Sequence, residues 1–220
     1  MVLMDKDSVK EALKKVKESS KKRNFKQTFD FIINLRGLDL KKPENHVEVY
    51  ANLHYSKGKP VKICAFVGPE LKEEAKKVCD TTISVDDFDK YQKDKKLAKK
   101  LAQEHAFFIA QATVMPKLAQ VFGKILGTRG KMPNPKAGCV VPPKAALQPL
   151  YDRLQKTAVI KAKTQPVIKC SVGIEDQNED EVIDNIITVY NSLIHKLPSE
   201  QNNIKNMLLK LTMGKPVEVK

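Results

Sequence analysis

The sequence predicts an α/β protein in two parts. One is an α+β domain with an antiparallel sheet and two helices, built from both ends of the chain. The other is an α/β domain inserted between them. Three observations carry this. The terminal segments alternate apolar and polar residues, the mark of strands with one buried face. The middle has short continuous apolar runs separated by helical stretches, the mark of a parallel sheet covered on both faces. Neither terminal segment holds enough elements to close a core alone, and 220 residues suffice for two domains.

Val9, Leu13 and Val16 recur at helical spacing behind Asp5 and Asp7, either of which can cap the helix. Phe29, Phe31, Ile33 and Leu35 alternate in a first strand, and Val47, Val49, Ala51 and Leu53 in a second. "VKICAFV" (61–67) predicts a buried strand, followed by Gly68-Pro69 and a helix in "ELKEEAKKVC". "TTISV" is a short strand, "DDFDKYQKDKKLAKKLAQEH" a strongly basic helical stretch, "AFFIAQ" another buried strand and "MPKLAQVFGKILG" a helix. "VIKAKTQPVIKCSVGI" is extended and broken at Pro166. Val182, Ile183, Ile186, Ile187, Val189 and Leu193 give the apolar face of a helix whose first turn, Glu179, Asp180 and Glu181, suits the helix dipole. "IKNMLLKLTMGKPVEVK" supplies one or two closing strands. The expected division is residues 1–66 with 158–220, and 67–157.

The net charge is +14, from 40 basic and 26 acidic residues, which favours a polyanionic partner. Residues 1–66 carry 15 basic and 8 acidic residues, 67–157 carry 17 and 10, and 158–220 carry 8 and 8, so charge does not choose between the domains. Aromatic residues are 6% and Trp is absent, which disfavours a sheet that stacks bases on exposed rings. Cys64, Cys79, Cys139 and Cys170 form no Cys-x-x-Cys pair. They read as free, mostly buried thiols in a reducing cytoplasm, with neither metal site nor disulfide framework. No apolar run is long enough to span a membrane, and "MVLMDKDSVK" lacks the apolar core of a secretory signal.

The segment "GTRGKMPNPKAG" (127–138) invites comparison with a phosphate-binding P-loop. It fails: the first glycine position is Ile125, the hydroxyl position is Met132, and a helix rather than a strand precedes it. His46, His54, His105 and His195 have no catalytic motif around them, and no Gly-x-Ser-x-Gly elbow occurs. No catalytic residues and no cofactor are expected. The loop's glycines and prolines instead hold Arg129, Lys131 and Lys136 on an ordered turn, which could dock on phosphate or serve as a structural connection.

"LGTRGKMPNPKAG" closely resembles the signature of the ribosomal protein L-one family, and "LTMGKP" resembles its Thr-Met-Gly element. The resemblance covers essentially the whole chain, and the length is most like that of archaeal members. It implies a first domain assembled from both termini and an inserted Rossmann-like α/β domain, with 127–138 in the second domain near the hinge. It implies RNA binding by the first domain, through Thr212, Met213 and Gly214 and through Phe25, Lys26, Gln27 and Thr28. Bacterial members more often carry glutamate where Gln27 stands; an amide oxygen also accepts a hydrogen bond. Further contacts are expected at Lys169, Ser171, Lys205 and Asn206, in a phosphate field from Lys21, Lys22, Arg23 and Lys26. The implied partners are ribosomal RNA of the large-subunit stalk, exit-site transfer RNA and an element of the protein's own messenger, the protein being a monomer off the ribosome. A non-ribosomal relative acting in ribosome assembly is the alternative.

Overall fold

A computed structural model describes residues 4–219. From the N-terminal side come α1 (Lys6–Ser19), β1 (Thr28–Leu35) and β2 (Val47–Asn52). The middle holds β3 (Ile63–Val67), α2 (Lys72–Val78), β4 (Thr81–Ser84), α3 (Phe88–Lys93), α4 (Lys95–Glu104), β5 (Phe107–Gln111), α5 (Met115–Thr128), β6 (Val140–Val141) and α6 (Gln148–Lys156). Then follow β7 (Thr157–Ala162), β8 (Val167–Ile174), α7 (Glu179–Ile194), β9 (Ile204–Leu211) and β10 (Val217–Val219). Two compact units result. One gathers the chain up to Lys59 and from Lys156 onward; the other is Pro60–Gln155.

The outer unit has a four-stranded antiparallel sheet, ordered β10-β9-β1-β8, and a two-stranded antiparallel ribbon, β2-β7. Along β1 every second residue is buried, so Phe29, Phe31, Ile33 and Leu35 face the core. Val9, Leu13 and Val16 of α1 and Val182, Ile186, Val189 and Leu193 of α7 complete that core. Asn178 caps α7 by accepting the Asp180 N–H, and Glu179, Asp180 and Glu181 occupy its first turn. Asp5 stands at the N-cap of α1, but its side chain makes no capping hydrogen bond.

The inserted unit has a parallel sheet, β4-β3-β5-β6. β3 and β5 are buried at every position, as their unbroken apolar runs require. Phe66 anchors the core, its ring 5.0 Å from Phe122, 5.7 Å from Phe108 and 5.8 Å from Phe88. Because β3 pairs with β4 and β5, it belongs wholly to this unit. The unit begins at Pro60, whereas the expected division falls after residue 66, on the far side of the apolar run that forms β3.

Two local features differ from the sequence reading. The basic stretch is two helices, because Asp94 turns extended (φ −109°, ψ 92°) and its carboxylate accepts the Lys96 N–H to cap α4. β6 and α6 occupy a segment to which the sequence pattern assigns no element. All four cysteines are buried thiols. Burial pushes the Cys79 and Cys170 thiols up to about 11 and about 12, and raises Cys64 as well, which makes them poor nucleophiles. Among the described residues no helix is long and apolar enough to cross a membrane.

Candidate nucleic-acid interface

Antiparallel pairing of β1 with β9 sets Phe29 opposite Leu211, so the start of β1 meets the turn that leaves β9. Thr28 and Thr212, 184 residues apart in sequence, are bonded twice over. The Thr28 N–H donates to Thr212 Oγ1 at 3.1 Å, and the Thr212 N–H donates to the Thr28 carbonyl at 3.1 Å. Their hydroxyls lie 2.9 Å apart. The turn itself closes through Gly214 N–H to the Leu211 carbonyl at 2.9 Å. A Cβ on Gly214 would stand 3.3 Å from Leu211 Cβ, so the glycine serves the turn's own closure.

Gln27 is fully buried. Its Oε1 accepts the Met213 N–H at 3.1 Å, its Nε2 donates to Ser20 Oγ at 3.2 Å, and its carbonyl accepts the Glu175 N–H at 2.9 Å. The side chain expected to contact RNA is thus turned inward, tying the end of α1 to the Thr-Met-Gly turn. Buried polar groups need such partners. Next to it, Lys26 Nζ lies 2.9 Å from Asp176, an exposed pair that adds little stability.

Phe25 and Met213 flank this knot, 51% and 61% exposed. They are two of only four large apolar side chains left exposed among the described residues, which marks the place as one that meets another surface. Lys21, Lys22 and Arg23 are exposed on the segment leading to Phe25.

The remaining expected residues separate. On the face of the sheet away from the helices, Ser171 pairs opposite Asp30, Lys169 opposite Ile32, and Asn206 opposite Asn34, whose Nδ2 donates to Asn206 Oδ1 at 2.7 Å. Asn206 is six residues before Thr212, roughly 20 Å along the strand. The β1–β9 register shifts between Asn34 and Leu35, which leaves Lys205 without a strand partner. Lys205 lines a hollow with Arg36, Glu200 and Glu218 at the far end of the sheet, away from the Thr-Met-Gly turn. Asp30 and Lys210 share the Thr28–Thr212 face although the sequence motifs do not single them out; counting by two from Thr28 and Thr212 finds both. Burial raises the Asp30 pKa, against the charges of Lys210 and Lys59.

The 127–138 loop lies in the inserted unit. Lys131 Nζ donates to the carbonyls of Ala102 at 2.8 Å and His105 at 2.7 Å, holding the C-terminal end of α4. Burial, and then the Arg129 charge, lowers its pKa from the ordinary lysine value. Asn134 Oδ1 accepts the Lys136 N–H, and Arg153 donates to the Ala137 carbonyl at 2.6 Å. Gly138 adopts φ +73°, where a side chain would also run into Arg153. Arg129 and Lys136 stand exposed; Lys131 does not project.

At the carboxyl ends of β3 and β5, where the sheet's winding reverses, nucleotide-binding folds expose free backbone amides. Here Gln111 Oε1 takes the Gly68 N–H at 2.8 Å and fills that place. Among the described residues no group of three or more His, Cys, Asp or Glu could hold a metal.

The model of the ribosomal protein L1p/L10e family matches residues 13–215. The chain is 38% identical over 217 residues to the large ribosomal subunit protein uL1 of Methanocaldococcus jannaschii, covering 99% of this chain and 97% of that one. To the uL1 of Methanobrevibacter smithii it is 43% identical over 212 residues, covering 96% and 98%. To that of Methanothermococcus thermolithotrophicus it is 38% identical over 216 residues, covering 98% and 99%. With the family match spanning nearly every element described above, and these relatives aligned over almost their full length, the chain belongs to the ribosomal protein L1p/L10e family.

Proposed function

We propose that this protein is a structural constituent of the large ribosomal subunit, not an enzyme, and that its outer unit binds ribosomal RNA of the stalk. The observation that carries the site is the knot of Thr28, Gln27, Thr212 and Met213, which presents two exposed apolar side chains on a rigid frame. Phe25 and Met213 offer surfaces to a ribose or an unstacked base, the Thr28 and Thr212 hydroxyls offer partners to a 2′-OH or phosphate, and Lys21, Lys22, Arg23 and Lys26 supply the surrounding positive field. Lys169 and Ser171 extend the surface along β8. Gln27 positions the turn and does not touch RNA. As a ribosome component the protein would assist release of deacylated transfer RNA from the exit site. It would also repress its own messenger through an RNA element imitating the ribosomal site, with the ribosomal site bound more tightly.

The test is binding of the wild type and of Thr212→Ala and Met213→Ala to a stalk ribosomal RNA fragment and to an unrelated duplex of equal charge, at two salt concentrations. Fragment-selective binding that the variants lose supports the reading. Equal binding of both RNAs, insensitive to the variants, overturns it. A messenger element binding as tightly as the ribosomal fragment would overturn the repression.

A further inference from the structure

The inserted unit carries a cationic surface that the sheet-face site does not use. Helix α4 buries Ala98, Leu101 and Ala102 in the unit's core and turns its lysines outward. Lys90 pairs with Asp87 and Lys100 with Glu104, but Lys93, Lys95, Lys96 and Lys99 pair with no acid among the described residues. The arrangement works against the free protein. Lys95 and Lys96 sit in the first turn of α4, at the positive end of its dipole, with no acidic residue in that turn. Lys95 and Lys99 stand four apart on one face and repel. Asp94, the one acid at the N-cap, is engaged by the Lys96 N–H. Helices α1, α2, α3 and α7 each place an acid in the first turn; α5 and α6, like α4, do not, but neither opens on adjacent lysines. The surface is also held rigid, since Lys131 grips the other end of α4 through the Ala102 and His105 carbonyls.

We infer that Lys93, Lys95, Lys96 and Lys99 form a second RNA-docking surface, which reads the phosphate backbone of a double-stranded RNA without regard to sequence. Lysines act as point charges and meet phosphates rather than base edges. A membrane fits less well, because α4 buries Ala98, Leu101 and Ala102 and leaves Leu97 as its one exposed large apolar side chain, too little to form an inserting face. The inference rests on the ribosomal reading above for its choice of polyanion. It also explains the 127–138 signature, whose Lys131 holds the lysine-bearing helix in place.

The experiment uses the full chain with the stalk RNA fragment bound to saturation. A labelled, unrelated RNA duplex is then titrated onto the complex, and onto the complex of a variant with Lys93, Lys95, Lys96 and Lys99 each replaced by Gln. Glutamine keeps comparable helix propensity. The expected result is duplex affinity reduced on the order of tenfold, with the log–log salt slope shallower by about 3.5 for four lost phosphate contacts. Fragment affinity stays unchanged, and the thermal midpoint of the free variant rises. Unchanged duplex affinity and slope overturn the inference, as does binding to phosphatidylserine vesicles in place of the duplex. Thr212→Ala/Met213→Ala is run in parallel, with fragment and duplex each titrated separately onto the free variant. Fragment binding that this variant leaves intact undoes the sheet-face reading; duplex binding that it abolishes undoes the second surface.

Discussion

Gln27 Oε1 accepts the main-chain N–H of Met213 at 3.1 Å across 186 residues of sequence. This bond makes the Thr-Met-Gly turn a continuation of the segment before β1. Replacing Gln27 with Ala leaves the Met213 amide and the Ser20 hydroxyl without their partner, at a cost of about 1–3 kcal/mol. Gln27→Glu keeps an acceptor for the amide, and Ser20 can reverse its role and donate. Denaturant unfolding is expected to rank wild type and Gln27→Glu together, with Gln27→Ala below. Stalk RNA binding should follow the same order. Loss of RNA binding in Gln27→Ala with stability unchanged would mean that Gln27 contacts RNA itself.

Met213 and Phe25 predict the opposite separation. Both are more than half exposed, so truncation to Ala should shift stability by no more than about 0.5 kcal/mol. Each contact with a base or ribose is worth about 1–3 kcal/mol, so RNA affinity should fall by roughly fivefold or more. Thermal denaturation beside RNA titration checks the pair of outcomes.

Thr28 and Thr212 are expected to couple. Single Ala substitutions each remove one hydroxyl, and the double variant removes both. A double-mutant cycle on unfolding free energy should return a coupling of about 0.5–1.5 kcal/mol. A coupling near zero would show that the backbone pairing alone holds the turn.

Lys131 is expected to behave as a structural residue. Lys131→Met keeps the length of the stem and removes the bonds to Ala102 and His105, lowering stability by about 1–3 kcal/mol. Stalk RNA affinity should not change. An RNA-affinity loss without a stability loss would make Lys131 a direct RNA contact instead.

Glu48 predicts an acid limb. Burial opposes its ionisation, but hydrogen bonds from Lys163, Tyr50 and Lys161 and the Lys161 charge outweigh it and bring the carboxyl to about 2, from an ordinary 4.5. The folded pKa lies below the unfolded one. The contribution is therefore complete above about 4.5 and is lost as pH falls toward 2. Glu48 ties β2 to β7 opposite Lys161. Glu48→Gln should flatten the stability–pH curve between pH 5 and 2, read by urea midpoints across that range, while a curve parallel to wild type would remove Glu48 as the cause.

What is local and periodic can be read along the chain. Phe29, Phe31, Ile33 and Leu35 alternate because one face of β1 is buried, and "ICAFV" runs unbroken because β3 is buried on both faces. The Thr-Met-Gly motif and the run before β1 were legible as a pair through the family resemblance, and pairing of β1 with β9 places them side by side. What depends on a distant partner arises only when the strands and helices come together. Gln27 and Lys131 look like free polar side chains in sequence; burial against Met213 and against the end of α4 turns both inward. The register shift between Asn34 and Leu35 leaves Lys205, an odd number of residues from Thr212, without a partner on β1. The edge of the inserted unit falls before β3 because that strand pairs with β4 and β5, in keeping with its unbroken apolar run. Periodicity is written residue by residue along the chain, whereas a hydrogen-bond partner 186 residues away exists only after the strands have paired.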